Sequence, residues 1–444
     1  MFTNEIDRAR FQEKYAEAVR EGNFPKIAAQ MSPYIKVRIY ENSICTAILK
    51  PRTVQPSDLI PEEGHNDTFF VYGQVEQPTI QAVPLNFRGQ GETFVPGGRR
   101  FKIPLGRHMS KVSKKPQDEL LAFDYDLFAE LNDKDIFELH TLRDKKFLWA
   151  SQAAVITSGK WSENVLSGSA TVVRPDKIHF TTNAQLLESG SRTGYPSDDT
   201  LKATKHVMGS QIWHDLNLWE SEGAGGELVS NITINGYPAT MIMGLTYITS
   251  IKNVLFVEKD PVAEITYTDV GVNGKFVTID GIAYADVTSA SGVPGDREFD
   301  VGGDAAISAT NLYNVLVRDQ GYVDCLDASY VFSNPSAGVV RVRRMYDSTW
   351  NRFSPAVMTL VEDETDATWG TQGYDLFDHI YTFPDADFLG EIVQIAGQEI
   401  ESDMWKERGE KLTEVCRRSA EFSGGAIGNI NGISMTRLQR YKHS

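Results

Sequence analysis

Cysteine is scarce in this chain of 444 residues: Cys45, Cys325 and Cys416 are the three present. Odd in number and far apart, they exclude a disulfide framework and a Cys-x-x-Cys metal site, and they fit a reducing compartment. No run of ~20 apolar residues occurs, so no helical membrane span is expected. The opening MFTNEIDRAR is charged rather than signal-like, so export is not expected. A phosphate-binding loop is missing. Gly159-Lys160 and Gly274-Lys275 are followed by Trp161 and Phe276, where that loop needs Ser or Thr to hold the metal. His-Glu-x-x-His is missing, and so is the Gly-x-Ser-x-Gly elbow of a hydrolase nucleophile. Gly223-Ala224-Gly225-Gly226 follows an expected helix instead of joining a strand to one, so it reads as a C-cap and turn.

Other chemistry-bearing residues are scattered. His206 and His214 fall eight apart on an expected helix, but no spaced carboxylate completes a ligand set. Asp269, Asp280, Asp286, Asp296, Asp300 and Asp304 lack the alternating spacing and closing Glu of a calcium loop, and read as turn formers. No catalytic residue, cofactor or metal site is expected.

What is present is an extended arm. Nine of the 18 prolines fall between Pro33 and Pro116, around short β-type runs at Cys45–Leu49, Thr68–Tyr72 and Phe101–Leu105. Proline removes a ladder donor and is confined to strand edges and bulges. The stretch Val37–Lys115 therefore reads as a two-stranded arm without a core, best stabilised by lying on another copy of the chain. Charge agrees. Residues 1–115 hold 17 Lys+Arg against 12 Asp+Glu, whereas residues 116–444 hold 27 against 48. Pro84–Lys115 carries eight basic residues and one acidic, Glu92. A basic arm beside an acidic body suits contact between neighbours, because complementary fields orient partners. The candidate contact residues are Arg88, Arg99, Arg100, Lys102 and Arg107.

The expected elements follow in order. Thr3–Glu21 is an amphipathic helix ended by Gly22. A long helix spans Pro116–Thr157, capped by Ser113 and closed by Gly159. Thr200–Glu220 is helical, and Ala239–Tyr247 is a helix or buried strand. Asn253–Glu258 and Ala263–Thr268 are strands. Gly271–Gly303 is a small β-excursion with hairpin turns at Asn273-Gly274 and Asp280-Gly281. Ser308–Val317 is a helix, and Tyr330–Phe332 and Val339–Arg343 are strands. Phe377–Pro384 and Glu391–Ile395 are strands around a turn at Asp385–Gly390. Ser402–Phe422 is a helix and Ile433–Leu438 a last strand.

This order, with the runs IYTFPDADFLGEI (Ile380–Ile392) and GGAIGNINGISMTRL (Gly424–Leu438), resembles the major capsid proteins of tailed phages with the Hong Kong 97-type fold. The resemblance implies an α+β chain with five parts: an N-terminal arm (1–36), an extended β-hairpin loop (37–115), a peripheral domain with a spine helix (116–199), an axial domain with a β-rich insertion near 261–304 (200–329), and a return segment (330–444). It implies a shell subunit, with no catalytic residues to carry over. Its partners would be copies of itself in hexamers and pentamers, scaffold, portal and decoration proteins, and packaged double-stranded DNA by weak contact. The location would be the virion, with assembly in the host cytoplasm and no membrane. Two alternatives stand beside this. One is an encapsulin-like compartment or another virion protein. The other is a soluble hydrolase that would need an acidic pair in a cleft.

Overall fold

In the computed structural model the described residues are 43–62, 68–76, 98–116, 127–166, 173, 175, 177–189, 201–212, 215, 229–234, 237–242, 245–250, 256–327, 329–345, 357–363, 366–396, 401–408 and 413–442. The expected helix Thr3–Glu21 lies outside them.

The first described segment holds helix α1 (Ile44–Ile48) and strands β1 (Lys50–Val54), β2 (Ile60–Pro61), β3 (Phe69–Glu76), β4 (Gly98–Met109) and β5 (Ser113–Pro116). Next come α2 (Leu127–Ser158), β6 (Trp161–Asn164), α3 (Lys177–Ser189), β7 (Lys205–Gly209), β8 (Val229–Ile234), β9 (Tyr237–Ile242) and β10 (Leu245–Ser250). The middle of the chain forms β11 (Val257–Tyr267), β12 (Phe276–Ile279), β13 (Ile282–Val287), β14 (Glu298–Asp300), α4 (Ala305–Asp319), β15 (Tyr330–Ser336) and β16 (Val339–Arg344). The last part gives β17 (Leu360–Glu362), β18 (Ala367–Trp369), β19 (Gly373–Phe383), β20 (Gly390–Ile395), β21 (Glu401–Arg408), β22 (Thr413–Ile427) and β23 (Ser434–Tyr441).

These strands build three sheets. An eight-stranded sheet runs β1-β20-β22-β4-β3-β2, with β21 and β5 also paired to β22. An eleven-stranded mixed sheet runs β15-β16-β11-β19-β7-β10-β9-β8, with β18 on β11 and β23 between β19 and β6. The third, β14-β13-β12-β17, takes β12–β14 from the small β-excursion expected at Gly271–Gly303 and adds β17 from beyond it. Of the two hairpin turns expected, Asp280 (φ 47) and Gly281 (φ 85) take the left-handed conformations of a tight hairpin between β12 and β13, whereas Asn273-Gly274 lies between β11 and β12, which belong to different sheets.

Helix α2 has 32 described residues and is about 48 Å long at 1.5 Å each. It runs unbroken through Asn132-Asp133 and ends at Gly159 (φ 67). Phe147, Leu148 and Val155 on one of its faces meet Tyr381, Phe383, Ile392 and Met435 in the main core. Helix α4 packs Ala309, Leu312 and Leu316 against Ile265, Val340 and Tyr284 in a second core. Asp304 caps α4 by accepting from the Ile307 N–H at 2.8 Å.

Several expectations are corrected here. Cys45–Leu49 is not a β-run. Ile44–Ile48 is a buried helix in the main core, and Asp144 of α2 accepts from the Cys45 N–H at 3.1 Å. Ser113 and Pro116 do not open the long helix; they form β5, paired to Arg417–Glu414 of β22. Residues 205–209 form a buried strand between β19 and β10 rather than part of a helix. Ala239–Tyr247 is two paired strands, and the two strands expected around Pro261 are one continuous β11. Ser402–Phe422 is the largest miss. It folds as the β21–β22 hairpin, with Glu401 opposite Ala420 and Arg408 opposite Thr413.

Candidate functional site

The two arm strands pair in register from Phe69 opposite Leu105 to Glu76 opposite Gly98. Residues 77–97 connect them, far more than the 2–5 residues of an ordinary hairpin loop. Alternation divides the hairpin into two faces. Val71, Ile103 and Leu105 are buried against Val54, Val393 and Ile395, and Val75 on the same face is buried too. The expectation of an arm without a core is therefore corrected at its foot, which sits on the eight-stranded sheet. The opposite face is exposed at Tyr72, Gln74, Arg100, Lys102 and Pro104.

The five candidate contact residues divide accordingly. Arg100 and Lys102 are exposed on the outer face, two residues apart, and the Lys102 ammonium lies 4.6 Å from the centre of the Phe70 ring. Arg107 is exposed further along β4, at the opposite parity. Arg99 belongs to β4, but its side chain lies outside the described residues, as does Arg88 altogether.

Below the foot, α2 is clamped to the sheet by buried charge. Arg143 pairs with Glu421 of β22, and Glu421 also accepts from Gln394 Nε2 at 2.9 Å. Asp135 pairs with Arg417 at 3.2 Å and accepts from Ser419 Oγ at 3.0 Å. Burial outweighs these partners and holds the Asp135 carboxyl above its ordinary range.

A second buried cluster joins six elements. Arg437 of β23 pairs with Asp260 and Glu258 of β11 and with Glu163 of β6. Arg343 of β16 pairs with Glu163 and lies 3.6 Å from Asp260. His379 of β19 meets Glu258 at 2.7 Å, and Gln152 of α2 donates to the same carboxylate at 2.8 Å. Both guanidinium groups flank the Phe377 ring, at 4.5 and 4.3 Å. Desolvation holds the Asp260 carboxyl above its ordinary range, against the pull of Arg437. Glu258 and Asp260 are sealed from solvent and held by cations, unlike the substrate-facing acid pair a carboxylate hydrolase needs. No motif marks this cluster in the sequence. Arginines alternating with apolar residues in Val339–Arg344 were the available signal.

The remaining candidates have local roles. His206 lies in β7, fully buried, its Nδ1 2.7 Å from Thr382 Oγ1 and its ring edge-on to Phe180; His214 lies outside the described residues. Asp269 accepts from the Val270 N–H at 2.8 Å, Asp296 from the Glu298 N–H at 3.1 Å, and Asp304 caps α4, as turn-forming aspartates do; Asp286, fully buried, and Asp300 lie instead in strands β13 and β14. Among the described residues no group of three His, Cys, Asp or Glu could hold a metal ion. None of the described helices is long and apolar enough to cross a membrane.

No family model matches the chain, and no curated protein matches it. Among solved structures it is similar to the capsid of Ralstonia phage GP4, at 7% identity over 91% of this chain and 93% of that one, with a TM-score of 0.42. It is similar to a structure of Mycobacterium phage Bobi at 6% identity, over 90% and 91%, with a TM-score of 0.38. A third likeness is the holo-SrpI encapsulin complex from Synechococcus elongatus PCC 7942, at 7% identity over 89% and 88%, with a TM-score of 0.36. None of them transfers a residue role to this chain.

Proposed function

We propose that this chain is a shell-forming subunit, the major capsid protein of a tailed phage with the Hong Kong 97-type fold, and not an enzyme. One observation carries the reading: a basic, long-tipped β-hairpin is mounted on a sheet that a 32-residue helix backs. The hairpin's outer face displays Tyr72, Arg100 and Lys102 to solvent, while the chain beyond residue 115 is strongly acidic. Such an arm gains most by lying on a neighbour of opposite charge. On this reading α2 is the spine of the subunit, α4 with its sheets is the axial part, and β12–β14 with β17 is an inserted module. Copies would join through the arms into hexamers and pentamers and close around double-stranded DNA in the virion. Scaffold, portal and decoration proteins would be further partners, and assembly would take place in the host cytoplasm.

The test is to express the full chain and examine it by sedimentation velocity and negative-stain microscopy. Closed shells are the expected result. A monodisperse monomer at high concentration would overturn the reading. Shells that enclose a protein cargo and no DNA would move it to an encapsulin-like compartment.

A further inference from the structure

A cavity of about 280 Å³ opens at the foot of the hairpin, between α2 and strands β4, β22 and β20. Leu49, Leu105, Phe147 and Ile392 line it, and along β22 the lining is Ser423-Gly424-Gly425-Ala426. Gly425 differs from the glycines around it. A Cβ on Gly424 would collide with the Pro104 carbonyl, and one on Gly390 with the Ala426 carbonyl. A Cβ on Gly428 would come within 2.5 Å of Val75 Cγ2. The fold requires glycine at those three positions. A Cβ on Gly425 would instead lie 3.8 Å from Ile392 Cγ1 and 4.0 Å from Leu49 Cδ1, in ordinary contact with two of the lining residues. Its φ is outside the left-handed region, so any residue fits the backbone. Glycine within a strand loses packing and marks a place where another group approaches closely. Gly425 therefore leaves open a space that the subunit's own packing would fill with a larger residue.

The mouth of the cavity is cationic. Lys146 of α2 is exposed, and its ammonium lies 2.8 Å from His108 Nε2. Burial and the Lys146 charge push His108 down to about 4, so at neutral pH the ring is uncharged and accepts from the ammonium. Arg143 is already paired with Glu421, whereas Lys146 has no carboxylate partner among the described residues. An apolar recess with a cation at its lip that no described carboxylate pairs fits a large apolar side chain that has a carboxylate beside it.

We propose that this cavity is a socket for such a side chain, supplied by a second copy of this chain. The inference rests on the shell reading above. Charge complementarity selects the occupant: residues 116–444 hold 48 acidic against 27 basic residues, so another subunit offers an excess of carboxylates. An anchor in a desolvated pocket is where a protein interface concentrates its affinity.

The test compares the full-length protein with Gly425→Leu, which fills the socket from the strand, and Lys146→Glu, which reverses the lip. Sedimentation velocity over a concentration series reads assembly, and the thermal midpoint of the unassembled subunit reads folding. A mixture of ¹⁵N-labelled and unlabelled copies is coupled with a carbodiimide and digested for mass spectrometry, which reads where Lys146 joins a carboxylate. The expected result is subunits that melt no lower than the parent but need about tenfold more protein to assemble. Coupling should join Lys146 of one copy to Asp or Glu of another. Parent-like assembly by both variants overturns the socket and leaves the shell reading standing. Coupling of Lys146 within its own copy alone also overturns it. Failure of the parent protein to assemble overturns the shell reading and the socket with it. If Gly425→Leu does not fold, Lys146→Glu and the coupling pattern decide.

Discussion

His206 shows how burial sets a titration. It has no exposed surface, and desolvation pushes it down to about 4, against ~6.5 for an exposed histidine. The unfolded chain binds a proton below pH ~6.5 that the folded chain refuses. The contribution of His206 to stability is therefore constant above that pH and falls as pH drops from about 6.5 towards about 4. At pH 5 the loss amounts to roughly 2 kcal/mol. Asp135, Asp260 and Asp378, all raised by burial, act in the opposite direction over the acid range. The difference between the parent and a variant isolates the histidine. His206→Gln should start from a lower thermal midpoint at pH 7.5, having lost its packing on Phe180, and then decline less steeply towards pH 5. Parallel midpoint-against-pH curves for the two proteins would rule this out.

At the level of elements, α2 and β23 hold the subunit together. Ala153 lies inside α2, and proline there removes a helical hydrogen bond and clashes with the preceding turn, at a cost of ~3 kcal/mol or more. Ala153→Gly costs only ~1 kcal/mol. The expected order in urea denaturation is parent, then Gly, then Pro far below; equal midpoints for Gly and Pro would mean the helix is not continuous at that point. Strand β23 lies between β19 and β6 and carries Arg437, which faces Asp260, Glu258 and Glu163. Deleting residues 424–444 removes that strand and leaves buried carboxylates without their main cation, a loss typically of 3–5 kcal/mol for a broken buried pair. Insoluble protein is expected, and a soluble, folded truncation by circular dichroism would contradict it. The same elements show what the sequence could reveal. Periodicity and turn chemistry located α4, β15, β16, β19, β20, β23 and the Asp280-Gly281 hairpin, because each is fixed locally by caps, alternation or left-handed residues. Ser402–Arg408 and Thr413–Phe422, rich in Glu, Lys and Arg, belong to the stretch Ser402–Phe422 that reads as helix by propensity. They became strands because the ladder on β5, β4 and β20, with the ion pairs Arg418–Asp403 and Lys114–Glu407, outweighs propensity. Those partners lie tens to hundreds of residues away, where no local pattern reports them. Of the candidate contact residues, the exposure of Arg100 and Lys102 was legible in strand alternation. The socket was not, since it depends on Gly425 meeting Leu49 and Ile392 across three chain segments.

For the whole molecule, assembly through the arm as proposed would be sensitive to salt, because it draws on the separation of charge between the arm and the rest of the chain. Arg100 and Lys102 point away from the hairpin's own core, so loss of Arg100 should cost within about 0.5 kcal/mol, as at exposed sites generally. Lys102→Gln also gives up the contact over Phe70, typically ~0.5–1 kcal/mol at an exposed site. A single exposed ion pair between subunits contributes under ~1 kcal/mol, but in a shell it recurs at every contact and its effect accumulates. The double variant Arg100→Gln, Lys102→Gln should therefore assemble poorly at low salt while melting close to the parent. Raising the salt to about 1 M shortens the screening length to ~3 Å and should bring parent assembly down towards the variant's. Light scattering of both proteins across that salt range checks this. If the double variant assembled like the parent at every salt concentration, the arm's charge would have no part in bringing subunits together, and the attraction would have to come from apolar contacts such as Tyr72 and the socket at the hairpin's foot.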